Sequence, residues 1–337
     1  MPGDQQFVSQ ADIDGVLSAY ADRPRHRITS GALMELGNWH SGMDVSTDQL
    51  ARLFRARHLL AFAALSQREL FHRNLNYVNF DTYTLVVQRY ESGDSSTFAF
   101  STRRRDGRTQ HLWGSDEFAF HRPNHVDGYA SVDFDAPLLA ALLTLPESHE
   151  WIYEAIVEFN LANTDSSDVP EHVEVVMCKS AFEWLLRIDA NAKSFVNALE
   201  TRLSNISFEK PNGPLALSWN TRWPQSKSLL STWAKDFCAV RGTSAHGAPK
   251  RGFVWSARQH LAFVAIFFPL LIKKVLADEG LLVIDAVDFE RLRRIETYLA
   301  HDPFDFDWHS GETHPWSEVI SESQFAELAK RLYPDWN

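Results

Sequence analysis

Apolar and polar positions change rhythm twice along the chain, and the changes divide it. Residues 1–45 show little periodicity beyond a possible short element at 31–39. Ser46 followed by Gln49 has the form of a capping box, and Leu50, Leu53, Phe54, Leu59, Leu60 and Ala64 then recur at helical spacing, predicting a helix to about Leu70 that ends near Asn74. Runs rich in β-formers follow at 83–90, 97–101 and 110–113, with Ser92-Gly93-Asp94 and Asp106-Gly107 as turn signals, which predicts an antiparallel meander. A further strand is expected at 129–134. Pro137 opens an apolar stretch through Leu145 that suits a closing helix, with a boundary near Pro146. The fold class expected for 1–146 is therefore α+β, of unknown role.

From Trp151 onward the rhythm is helical only. Ile152, Ala155, Ile156, Phe159 and Ala162 share one face of a first helix, and the polar stretch 163–167 closes it. Asp168 is the expected cap of a second helix with Pro170 in its first turn and Glu171 behind it. Its apolar stripe reads Val173, Val176, Met177, Ala181, Trp184, Leu185 and Ile188. Helices also fit 192–203, 228–240 and 253–277, separated by Pro/Gly-bearing stretches at 211–224 and 247–252. Residues 147–280 thus form an all-α helical bundle. Residues 281–337 form an acidic extension with helices expected at 289–300 and 322–332. No internal repeat or low-complexity tract interrupts this order.

Composition adjusts the picture modestly. A chain of 337 residues, 45% hydrophobic and 23% charged, has the length for about two domains and the makeup of a folded one. Cys178 and Cys238 lie far apart without CxxC spacing, so no disulfide framework or thiolate zinc site is indicated, and a reducing compartment fits. The first residues lack the basic-then-apolar layout of a signal peptide, and the apolar run 261–272 falls short of the ~20 residues of a membrane span, so a cytoplasmic, membrane-free protein is expected. The net charge of −11 argues against a surface that grips nucleic acid everywhere. Residues 206–260 nevertheless carry eight basic residues against two acidic ones, whereas 281–337 carry twelve acidic against five basic.

The basic island surrounds Arg241-Gly-Thr-Ser-Ala-His246-Gly247, an Arg-x4-His-Gly motif that follows an amphipathic helix. Together with Ala155-Ile-Val-Glu-Phe-Asn160, Ala181-Phe-Glu-Trp-Leu-Leu186 and His260-Leu-Ala-Phe-Val264, this motif resembles the HEPN superfamily, in particular its Apea-like branch, over residues 150–280. The resemblance implies a helical bundle that dimerises around the motif. It also implies metal-independent, cofactor-free endoribonuclease activity, with roles in bacterial defence or toxicity and an N-terminal domain that senses a trigger or docks a protein partner. Arg241 and His246 are then the catalytic pair. His246 exchanges protons with the RNA 2′-hydroxyl or the leaving oxygen, Arg241 stabilises the charged phosphorane, and the product is a 2′,3′-cyclic phosphate. Cleavage-competent members usually place a polar residue, often Asn, directly after the arginine; here that position is Gly242, and Thr243 and Ser244 are the neighbouring candidates for polarity. Glu183 is a supporting candidate for orienting Arg241, and Lys235, Lys250, Arg251 and Arg258 are candidate RNA contacts.

Residues five apart on an ideal helix lie about 140° around and about 7.5 Å along the axis, so convergence of the pair calls for relaxation at Gly242 or for a two-fold partner. Three other readings stay open. Arg241 pairs with Asp236 or Glu183 while His246 bonds a helix-end carbonyl; the domain is a non-catalytic module binding RNA, a nucleotide or a protein; or it only dimerises. Asn160 and Asn163 read as loop caps. The stretch from His301 to His314, with Asp302, Asp305, Asp307, His309 and Glu312, offers metal-type ligands at no recognised spacing, while Phe304, Phe306 and Trp308 are candidates to dock on the bundle. Arg103, Arg104, Arg105 and Arg108 surround a hairpin turn. No GxxxxGK, GxSxG, HExxH or GxGxxG motif is present.

Overall fold

A computed structural model describes residues 11, 14, 20–23, 26–27, 46–67, 79–83, 85, 100–103, 109–112, 118–119, 134–164, 169–217, 219–246, 252–305 and 314–318. They fall into two compact units, one made of Met1–Arg57 and Asp81–Gly128, the other of His58–Phe80 and Tyr129–Asn337. The division differs from cuts at 146 and 280, because the apolar helix that includes Pro137 and the described residues after 280 bury apolar side chains such as Leu138, Leu292, Tyr298 and Trp316 in the same core as the bundle.

In the first unit, β1 (Tyr20–Arg23) pairs antiparallel with β2 (His26–Arg27) and parallel with β5 (Phe118–Ala119). Strands β3 (Phe100–Arg103) and β4 (Thr109–Leu112) form an antiparallel ladder with Phe100 opposite Leu112 and Arg103 opposite Thr109. The ladder overlaps the predicted runs 97–101 and 110–113 at residues 100–101 and 110–112. Tyr83 departs from the prediction: it ends a 3-10 turn, Phe80–Tyr83, whose carbonyl accepts a hydrogen bond from Arg57 Nε. Most of the predicted strands 83–90 and 129–134 lie outside the described residues, as do Arg104, Arg105, Arg108 and the helix at 322–332.

Helix α1 (Thr47–Leu65) begins with the expected box: Gln49 N donates to Ser46 Oγ at 3.2 Å and Ser46 N to Gln49 Oε1 at 2.9 Å. It stops at Leu65, five residues short of the prediction.

The second unit adds α2 (Ala136–Leu143), α3 (Glu150–Ala162), α4 (Glu171–Leu186), α5 (Ala192–Arg202), α6 (Leu229–His246), α7 (Ala257–Asp278), α8 (Ala286–Arg293) and α9 (Ile295–Leu299). Its described residues are a helical bundle. The expected face of α3 is buried as read. Helix α4 is rotated from its predicted stripe: Val175, Cys178, Ala181, Phe182 and Leu185 are buried, while Val173 and Trp184 are exposed. Apolar residues surround this helix, so periodicity alone does not select a face. Its N-cap is Pro170, with no side-chain cap; Asp168 lies outside the described residues. Helix α7 starts at Ala257 rather than 253, because Ser256 and Gln259 form a reciprocal capping box there. The helix predicted at 289–300 is two helices, divided at Arg294.

Helix α7 is the axis of the core. By length and composition it is long and apolar enough to cross a membrane, and 89% of its most apolar window is buried inside the protein. Phe268 stacks on Phe159 with centroids 4.6 Å apart, and Phe182 meets Phe195, Trp233, Phe237, Phe267 and Phe268 between 5.1 and 6.1 Å. Lys273, on the same helix, joins two carboxylates at 2.5 Å each: Asp135, the N-cap of α2, and Asp288 in the first turn of α8.

One close approach fixes the segment after α5. A Cβ on Gly213 would lie 2.2 Å from the carbonyl oxygen of Ala300 and 2.6 Å from the His301 ring, and Leu215 N donates to the same Ala300 oxygen at 3.0 Å. Because the nearest atom is backbone, Gly213→Ala must separate two chain segments. We expect a loss of about 1–3 kcal/mol, the usual range for overpacking, read as a lower urea midpoint at unchanged m-value. An unchanged midpoint would contradict this packing.

Candidate functional site

Helix α6 carries the motif, and its beginning is tied down. Ser231 N donates to Ser228 Oγ at 3.1 Å, and Leu230 N donates to Glu296 Oε1 at 3.0 Å. Glu296 comes from α9, where burial raises its carboxyl above the usual carboxylate range, against the lowering effect of hydrogen bonds from the Leu230 N–H, the Ser228 side chain and the Leu229 N–H. The helix then runs unbroken through Arg241 and Gly242 to His246. Of the two routes to convergence, relaxation of the helix at Gly242 is therefore not seen, and the two-fold partner is left as the other. Thr243 Oγ1 donates to the Ala239 carbonyl at 3.1 Å, spending its hydroxyl on the helix itself. With helical geometry intact, the backbone positions 241 and 246 stand about 140° apart around the axis.

Asp236 does not pair with Arg241. It is fully buried; Oδ1 accepts from Trp223 Nε1 at 3.0 Å, and Oδ2 accepts from Val254 N at 3.0 Å and Trp255 N at 3.2 Å. His260 Nε2 lies 3.4 Å from the same oxygen, without hydrogen-bond alignment. Burial holds the His260 ring below the ordinary imidazole range, opposed by Asp236, and the ring packs among Trp233, Phe237 and Trp255. Asp236 therefore serves to pin the stretch that leads into α7. The sequence reading missed this role; the signal for it was an acid on the apolar face of an amphipathic helix, at helical spacing from Trp233 and Val240.

The charges near Cys238, one helical turn before Arg241, come from α4 and from Arg241 itself. Lys179 is buried, pairs with Glu183 at 2.7 Å and lies 4.5 Å from the centre of the Phe195 ring. Cys238 is sensitive to all three charges. Burial pushes its thiol up to about 11, Lys179 and Arg241 pull it down, and Glu183 raises it. Glu183 is thus engaged by Lys179, and no ion pair of Arg241 occurs among the described residues. Arg241 Nε is shielded from solvent and has no hydrogen-bond partner among the described residues. A half-buried guanidinium with an unused N–H is suited to an anion.

The basic island is only partly assembled. Lys235 Nζ donates to Ser226 Oγ at 2.9 Å, and Arg258, exposed at the start of α7, lies 4.0 Å from the centre of the Phe304 ring. Phe304 packs against the core as the docking expectation had it. Lys250, Arg251, Phe306 and Trp308 lie outside the described residues. Ser244 is half-buried on α6. Asn163 behaves as a cap, donating to the Phe159 carbonyl at 2.7 Å, but Asn160 is fully buried and donates to the His58 carbonyl at 2.9 Å, fastening α3 to α1. Among the described residues no group of three metal-type ligands comes together.

A Cβ at Gly242 would meet nothing within 4 Å. Gly242→Ala therefore removes backbone freedom from the unfolded chain without a clash, and we expect it to raise stability by about 0.4–1 kcal/mol. A lower thermal midpoint would mean that the helix is not continuous there.

No protein-family model, curated protein or solved structure matches the chain.

Proposed function

We propose that this protein is a HEPN-type, metal-independent endoribonuclease whose working unit is a homodimer. The observation that carries the reading is the Arg-x4-His motif at the C-terminal end of α6, with a partly buried Arg241 whose Nε has no partner among the described residues. A half-buried arginine with no carboxylate partner among the described residues is ready to donate to a phosphate. The unbroken helix directs positions 241 and 246 to different sides, so each pocket takes Arg241 from one copy and His246 from the other across a two-fold axis. His246 supplies proton transfer at the 2′-hydroxyl or the leaving oxygen, and Arg241 supplies charge to the phosphorane. The α+β unit senses the trigger or holds a protein partner.

A second reading is favoured by Gly242, which places no polar side chain after the arginine, and by Thr243, whose hydroxyl is spent on Ala239. In it the domain binds RNA, a nucleotide or a protein without cutting. Incubation of the purified chain with mixed single-stranded RNA in EDTA, with analysis of product ends, separates the two. Cyclic-phosphate ends support the nuclease; intact RNA that is retained in a salt-sensitive complex supports the binding module.

A further inference from the structure

Residues 314–318 are fastened to α9 by one indole. Trp316 is buried, and its Nε1 donates to the Tyr298 carbonyl at 2.9 Å and, more weakly, to the His301 carbonyl at 3.3 Å, with its ring centre 5.6 Å from that of Tyr298. Its backbone N–H is held by a side chain: His314 Nδ1 accepts it at 3.3 Å across Pro315. A ring nitrogen two residues ahead of the donor, with proline between, does what the oxygen of asparagine or aspartate does in a turn of the same kind. There is one difference. An amide oxygen always accepts, whereas Nδ1 accepts only while the ring is neutral.

The surroundings oppose a charge on that ring. The His301 ring meets it edge-on with centroids 5.4 Å apart, and His301 Nδ1 is itself bonded to the Thr297 carbonyl at 3.0 Å. Among the described residues, the charged or titratable groups facing His314 are His301, Asp305 and Asp302. Burial first, and His301 second, hold its ring below the ordinary imidazole range, against the two aspartates.

We propose that His314 makes the docking of Trp316 on α9 an acid-released latch, closed while the ring is neutral and opened when it takes a proton. The sign follows from linkage. The undocked ring titrates near the ordinary value of about 6.5 and the docked ring below it, so docking is at full strength above about pH 6.5. Below that it weakens by up to about tenfold per pH unit, until the docked ring is protonated as well. The latch also has a route to the motif helix, because α9 carries Glu296, which holds the first turn of α6. The inference is independent of the nuclease reading.

The test uses the full chain labelled with ¹⁵N-tryptophan. The Trp316 indole resonance, assigned by its loss in Trp316→Phe, is followed from about pH 8 to about pH 5, the range that brackets imidazole titration, with far-UV circular dichroism in parallel. In the wild type the indole is expected to leave its docked position with a midpoint below about pH 6.5, with helix content unchanged. His314→Asn keeps an oxygen that accepts the Trp316 N–H and does not titrate, so its indole stays docked throughout. Three results overturn the proposal: a wild-type indole that stays docked at every pH, an Asn variant that releases over the same window, or release that coincides with loss of helix.

Discussion

His246→Ala is expected to slow RNA cleavage by about 10²- to 10⁴-fold, the range contributed by a positioned proton-transfer group, with thermal stability unchanged. Arg241→Ala is expected to cost about 10²- to 10³-fold, as for other groups that stabilise developing charge. Both losses should appear in EDTA and on RNA only, because the nucleophile is the 2′-hydroxyl. The unbroken α6 adds a sharper expectation. In a mixed dimer of the two variants, one pocket regains an intact Arg241 and an intact His246 from opposite chains, while the other pocket has neither. Free subunit exchange makes about half of the dimers mixed, so mixing two inactive samples should restore about a quarter of wild-type activity. If both groups served one pocket from the same chain, no mixture would recover anything. Recovery near zero, with subunit exchange verified, would therefore sink the cross-chain pocket while leaving the nuclease itself to the single-variant result.

What was legible in the sequence divides along physical lines. Ser46 with Gln49 and the stripe on α3 were readable, because a capping box and a clean helical period each rest on interactions local to the helix. Helix α4 was misread because apolar residues lie on both sides of it and the choice between them is made by α3, α6 and α7. Lys179 is buried on that helix, a position no pattern assigns to lysine; its tolerance there depends on Glu183, one turn later. The motif was visible, but its geometry was not. Gly242 is a poor helix former, and the helix continues through it, with Thr243 bonded back to Ala239. Asp236 shows the same limit: the sequence places it five residues before Arg241, and only the three-dimensional arrangement gives its oxygens to Trp223, Val254 and Trp255 instead.

The tie across α2, α7 and α8 leads to the largest expected effect on stability. Lys273 and its two partners, Asp135 and Asp288, all have side chains less than a tenth exposed, so the ammonium is the main compensation for two carboxylates withdrawn from water; the partly exposed Arg291 stands farther off, its Nη1 3.9 Å from Asp288 Oδ1. Lys273→Ala leaves both negative charges buried beside each other, and we expect it to cost about 3–5 kcal/mol in urea unfolding, the range found when one partner of a buried ion pair is removed. The cost should come from the orphaned charges more than from the lost lysine. Asp135 Oδ1 still caps α2 through Leu138 N at 3.0 Å, and an asparagine oxygen can do the same. The triple variant Lys273→Met, Asp135→Asn, Asp288→Asn removes all three charges while keeping volume and the cap, so it should recover most of the loss. A loss below about 1 kcal/mol in the single variant would mean that water reaches the group and screens it. A triple variant as unstable as the single one would shift the cause from unpaired charge to packing around α7.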